Sequence, residues 1–175
     1  MLYICFNVFF TALPIIYFAT FDYEYPKQLI IKRPRLYRIG MENVYFNKYV
    51  FWRWIFYATW QSGLILFLAY YTLEGTSFDA MGQSGGLSVP GNFAFGTLVI
   101  VVNVKIAISS FLVSFWMLFF VIGSVLIYAT FYMIISMFLP ISAEYGTIYM
   151  LLEAPQTYFT LILFSFMFVL VDTGL

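Results

Sequence analysis

The chain contains no histidine among its 175 residues, which removes the commonest general base and metal ligand. A single cysteine, Cys5, lies in an apolar run, so no internal disulfide can form and redox compartment is not legible. Charged residues make up only 9% of the chain, and eight cations balance eight anions. That balance leaves no global field to attract nucleic acid. Paired carboxylates within an apolar run, Cys/His clusters and nucleophile–base pairs are all missing, so neither a catalytic centre nor a metal site is expected within these residues. Gly82, Gly85 and Gly86 have no Lys-Ser/Thr after them and do not form a phosphate loop. An Asn-x-Ser/Thr sequon is also lacking.

Apolar residues are abundant instead. The hydrophobic fraction is 63%, against about 45–50% in soluble domains. This much Phe, Leu, Ile and Tyr implies an all-α integral membrane protein of about five transmembrane helices. The expected spans are 2–21, 49–73, 93–109, 111–138 and 157–172. Twenty helical residues extend about 30 Å, the thickness of the hydrocarbon layer. The first run lacks the basic start and small-residue cleavage site of a signal peptide. Pro14 falls inside it and is expected to kink or open the helix near Phe10. Asn7 and Thr11 are four apart and so would share a helix face. The continuous run from Phe93 to Leu139 is more than twice the length one span needs. It must fold back as a hairpin near Ser109-Ser110.

Polar character is concentrated in the connector 22–48 and its margin. Seven of the eight cations lie there: Lys27, Lys32, Arg33, Arg35, Arg38, Lys48 and Arg53. Short Lys/Arg-rich loops stay in the cytosol, so the connector is expected on that side. Parity then places loops 74–92 and 140–156 outside and the C-terminus in the cytosol. Both outer loops carry acids and no cation, in agreement with the assignment. The same parity puts Met1 outside, which is more natural for an internal piece of a longer protein. The connector serves topology first, with docking on a cytosolic domain and anionic lipid binding as alternatives. Lys105, a cation within an apolar run, is costly in lipid. It is expected to snorkel to the inner headgroups or to bond between helices rather than to transport. Asn7 and Thr11 beside Pro14 are candidates for a polar track through the bilayer, against ordinary interhelical bonding. Gly123-Ser124 reads as small-residue packing.

The run Phe6-Asn7-Val8-Phe9-Phe10-Thr11-Ala12-Leu13-Pro14, followed by Phe21-Asp22 and Glu24, resembles the sixth transmembrane helix of the type IV P-type ATPases, the phospholipid flippases. Pro34 to Tyr37, Gly40, Phe46-Asn47 and Phe51 to Trp54 resemble the loop into the seventh helix. Gln61-Ser62, Val102 to Ala107 and Gly123-Ser124 fit the seventh, eighth and ninth. Glu24 stands where the family usually has Asp, and Ala12 where Ser is more usual. The resemblance implies helices six to ten of an ATP-driven phospholipid translocase of a eukaryotic plasma membrane or endomembrane. It further implies that ATP and Mg2+ act in missing cytosolic domains, and that the membrane phospholipid meets Asn7 and Thr11. A two-span accessory subunit would contact the outer loops. The alternative is a non-catalytic five-span membrane protein, such as a truncated paralogue or packing partner.

Overall fold

A computed structural model describes residues 2–33, 35, 37–42, 46–73, 87–140, 144–153 and 155–174. Among the described residues the fold is all-helical, without strands. The first apolar run forms α1 (Leu2–Cys5), a π-helical segment (Phe6–Phe10) and α2 (Ala12–Phe21). The connector carries two short helices, α3 (Lys27–Lys32) and α4 (Tyr37–Met41). Three long helices follow in α5 (Lys48–Leu73), α6 (Ser88–Ser109) and α7 (Phe115–Phe138). A short α8 (Thr147–Glu153) and then α9 (Pro155–Gly174) complete the chain.

Burial sets the arrangement. α6 is the central helix and buries residues around most of its circumference, including Val89, Phe93, Phe95, Thr97, Val99, Val101 and Asn103. A helix apolar all round belongs inside a bundle. On one side α6 joins Ile65, Ala69 and Leu73 of α5 and Phe164 and Phe168 of α9 in a shared core. On the other side Phe95 and Val99 pack with Phe10, with Tyr128, Tyr132 and Ile135 of α7, and with Ile148 of α8. α5 contributes a narrow stripe, Gln61, Ile65, Ala69 and Leu73, each four residues from the last. That is one helix face, and the opposite face of Trp52, Phe56 and Trp60 is exposed.

Several expected boundaries move. α6 starts at Ser88 rather than 93, inside the expected loop 74–92, whose residues 74–86 lie outside the described set. The fold-back, expected near Ser109-Ser110, occupies 110–114, and α7 starts at Phe115 rather than 111. Its cause is a carboxylate from elsewhere in the chain, since Asp22 takes the backbone N–H groups of Phe111 and Leu112. The expected loop 140–156 is not all loop, because α8 forms within it and buries Thr147 and Ile148. α8 and the 157–171 part of α9 meet at 86°. Pro155 opens α9, a position where the missing N–H of proline costs least.

By length and apolar composition α6 and α7 are each sufficient to cross a membrane, and α8 with α9 form a third crossing if the bent pair is one span. The other two expected spans differ for separate reasons. α5 has 26 residues, but Lys48, Arg53, Gln61 and its many Tyr and Trp side chains dilute its hydropathy. The first run is interrupted at Thr11, leaving ten uninterrupted residues in α2.

Candidate functional site

Proline has no backbone N–H, so Pro14 cannot donate to the carbonyl four residues earlier, that of Phe10. The helix responds locally. Residues Phe6–Phe10 widen into π geometry, and Thr11 leaves the helical region with φ −132° and ψ −17°. Regular winding resumes when the Ile15 N–H donates to the Thr11 carbonyl at 3.3 Å. Phe10 is fully buried, with its ring edge-on to Tyr128 at 5.3 Å and to Phe131 at 6.0 Å. Solvent does not reach the Phe10 carbonyl. The missing donor comes from α6, where Asn103 Nδ2 donates to the Phe10 oxygen at 3.0 Å and to the Val99 oxygen at 2.9 Å. Asn103 is itself fully buried.

The same opening separates two residues that a regular helix would align. Thr11 is 2% exposed, and its hydroxyl donates to the Phe6 carbonyl at 3.1 Å, whereas Asn7 is exposed. The expectation of a shared Asn7–Thr11 face rested on 3.6 residues per turn, and a π segment turns more slowly. Asn7 therefore faces outward beside Val8 and Phe9, while Thr11 stitches the break from within.

At the far end of α2, Asp22 anchors the fold-back. Its carboxylate accepts from the Leu112 N–H at 2.8 Å, the Phe111 N–H at 3.2 Å and the Ser110 hydroxyl at 3.1 Å. Burial opposes ionisation, but these donors and the Tyr23 N–H outweigh it and hold the Asp22 carboxyl below its ordinary 3.8. Lys105, one turn before that fold-back, directs its ammonium over Tyr57 at 4.5 Å and Trp54 at 5.1 Å, both on α5. Two aromatic faces offset part of the cost of a cation among apolar helices.

The connector cations Lys32, Arg33, Arg35 and Arg38 are all exposed. Arg38 Nε meets Glu42 Oε1 at 2.6 Å one helical turn away. Such a solvent-exposed pair contributes only about 0.3–0.5 kcal/mol.

The opposite end of α6 is tied by a buried polar network. Thr147 Oγ1 donates to the Glu144 carbonyl at 2.6 Å, shares a 2.8 Å bond with Tyr132 Oη and accepts from Asn92 Nδ2 at 3.4 Å. Tyr128 Oη donates to the Asn92 carbonyl at 3.4 Å, and Ser136 Oγ accepts the Ile148 N–H at 3.0 Å. Gly146 takes a positive φ of 75° at the turn into α8, which suits a residue without Cβ.

Sequence reasoning singled out Pro14, Asn7, Thr11 and Lys105 but gave no role to Asn103, Asp22 or Thr147. For Asn103 a signal was present, since an amide within a long apolar run must find a partner or destabilise the bundle. For Asp22 and Thr147 there was none, because their partners lie 90 and 15 residues away.

Among the described residues no group of three His, Cys, Asp or Glu could hold a metal ion.

Comparison with known proteins shows the family. The family described as "Phospholipid-translocating P-type ATPase C-terminal" matches residues 1–175. A probable phospholipid-transporting ATPase 12 of Arabidopsis thaliana is 30% identical over 152 residues, covering 85% of this chain and 12% of the relative. Phospholipid-transporting ATPase IH of Mus musculus is 30% identical over 127 residues, or 72% of this chain and 11% of the relative. A probable phospholipid-transporting ATPase IM of Homo sapiens is 31% identical over 130 residues, or 70% and 10%. The chain thus spans about a tenth of the length of these curated relatives. With the family matched from end to end on an all-helical membrane fold, the chain belongs to the C-terminal membrane region of the phospholipid-translocating P-type ATPases.

Proposed function

We propose that this chain is the C-terminal membrane part of an ATP-driven phospholipid translocase, in which it supplies scaffold helices and one wall of the lipid path. The observation that carries this reading is the proline-broken first helix. It exposes Asn7 on one side while the break is braced from the other by α6. Interrupted helices within membranes occur where backbone is buried in protein or lines a polar route. The exposed apolar residues beside Asn7, Val8 and Phe9, would then meet the remaining membrane helices of the same pump. ATP and Mg2+ would serve the full-length protein through domains outside these residues.

Two further roles belong to this reading. The outer loops 74–92 and 140–156 would receive the two-span accessory subunit. The connector would lie in the cytosol, where Lys32, Arg33, Arg35 and Arg38 meet the phosphorylation domain. Their exposure supports an intermolecular or interdomain use. Reversing these four charges in the complete pump is expected to lower ATP turnover without preventing insertion. Unchanged turnover with insertion intact would remove the coupling role.

The reading as a whole is tested with the complete pump reconstituted in vesicles that contain a fluorescent phospholipid. Addition of ATP should move the lipid between leaflets. Asn7→Leu should reduce both this movement and lipid-stimulated ATP hydrolysis several-fold while leaving membrane insertion intact. A pump that hydrolyses ATP without moving any phospholipid class would sink the proposal.

A further inference from the structure

We propose that Asn103 is a positioning residue of the lipid path. By donating to the Phe10 carbonyl it holds the first helix open at Thr11, so that Asn7 stays presented on the outward face. The assignment rests on the lipid-path reading given above.

The argument begins with what Pro14 removes. In an unbroken helix the N–H of residue 14 would occupy the Phe10 carbonyl. Its absence at a residue with no solvent exposure would strand a buried acceptor, at a cost of about 1–3 kcal/mol. Asn103 is the donor that α6 places within reach, at 3.0 Å. Both partners of its amide nitrogen, Phe10 O and Val99 O, are carbonyls that only accept. The orientation of the amide therefore follows from chemistry, with the nitrogen toward both oxygens.

The Val99 bond lies within α6 itself, four residues back, and takes no atom from the first helix. The Phe10 bond crosses between helices and exists only while the first helix keeps its opened form. Asn103 thus favours that form over a straightened one, in which the Phe10 carbonyl would turn back along its own axis. A residue that acts through backbone geometry in this way touches no lipid, yet it decides where the lipid-facing Asn7 stands.

The two residues that create and fill the missing bond should be coupled. The experiment compares the complete pump carrying Asn103→Leu, Asn103→Gln, Pro14→Ala and the Pro14→Ala/Asn103→Leu pair. Its readouts are the phosphatidylserine or phosphatidylcholine dependence of ATP hydrolysis and the melting temperature in detergent. Asn103→Leu should raise the lipid KM by about five- to tenfold with a smaller change in kcat, the scale of one buried hydrogen bond. In the Pro14→Ala background, where residue 14 regains an N–H, the same substitution should shift the melting temperature by less than half as much. Asn103→Gln keeps the donors on a longer stem and should fall between the native residue and Leu. Asn103→Ala replaces the Leu variant, with the same expectations, if the latter does not assemble.

Equal shifts in both backgrounds would overturn the proposal. So would a Gln variant as impaired as Leu, which would indicate packing alone, or a fall in kcat at constant KM. If the unsubstituted pump did not respond to phospholipid, the lipid-path reading would fail by itself. The melting-temperature coupling would still decide whether Asn103 positions the broken helix.

Discussion

Asp22 and Leu112 are 90 residues apart in sequence and 2.8 Å apart in space, joined by a bond from the Leu112 N–H to Asp22 Oδ1. This contact connects the end of the broken first helix to the fold-back between α6 and α7. It also gives the protein an acid sensitivity whose sign can be worked out. Burial works against the charge, yet the donors of Leu112, Phe111, Ser110 and Tyr23 keep the carboxyl below its ordinary 3.8. A depressed folded value means that stability is fully present above about pH 4 and is lost as pH falls through the lower folded value. Asp22→Ala should flatten this acid limb and lower stability near neutrality by about 1 kcal/mol, discounted for the partial solvent exposure of the carboxyl. Melting temperature in detergent across pH 3–7 measures both effects, and an unchanged acid limb would contradict the assignment.

Lys105 is predicted to act through its aromatic neighbours rather than as a carrier of charge. Lys105→Met should destabilise the α5–α6 packing by about 0.5–2 kcal/mol, and Lys105→Arg should recover most of it. Because the ammonium lies 5.1 Å from the Trp54 ring, the Met variant should also change tryptophan emission. A Met variant of native stability and spectrum would refute the pairing.

Gly96 lies where α6 passes Tyr128. A Cβ at this position would stand 3.1 Å from Tyr128 Oη, tight enough that the tyrosine ring must give by a few tenths of an ångström. Gly96→Ala should therefore displace the Tyr128 ring and weaken its bond to the Asn92 carbonyl, costing about 1–3 kcal/mol. Tyr128→Phe removes the nearest atom. The pair of substitutions should be less destabilised than the sum of the two singles, and simple additivity would rule out this contact as the cause.

Thr147 has its hydrogen-bonding capacity filled, with one donated bond and two accepted. Thr147→Val keeps the shape but strands the Tyr132 hydroxyl and the Asn92 amide, and should cost about 2–3 kcal/mol. Tyr132→Phe removes one partner of the same bond and should cost about 1 kcal/mol. Chemical or thermal unfolding in detergent that gave the reverse order would show that the network is not centred on Thr147.

Much of the fold is legible in the residues alone. Long apolar runs predict helices wherever the backbone must satisfy itself within a bilayer, and α6 and α7 lie in one such run. Pro14 predicted the opening near Phe10 because loss of one N–H acts four residues away, a local effect. The Asn7–Thr11 pairing did not survive for the same local reason, since the opening changed the turn on which both stand. The 110–114 fold-back and the helix inside 140–156 were not legible, because side chains distant in sequence hold them in place.

The amino-acid order by itself determined that this protein is helical, membrane-embedded and interrupted at one proline, because hydropathy and the chemistry of a missing N–H need no partner. Only the tertiary structure decided which helix is central and what fills the opened turn. Asn103 answers the Phe10 carbonyl because α6 is buried on most sides and passes the break at hydrogen-bond distance. A buried carbonyl must be satisfied by whatever donor packing brings near it, and packing is a property of the assembled chain.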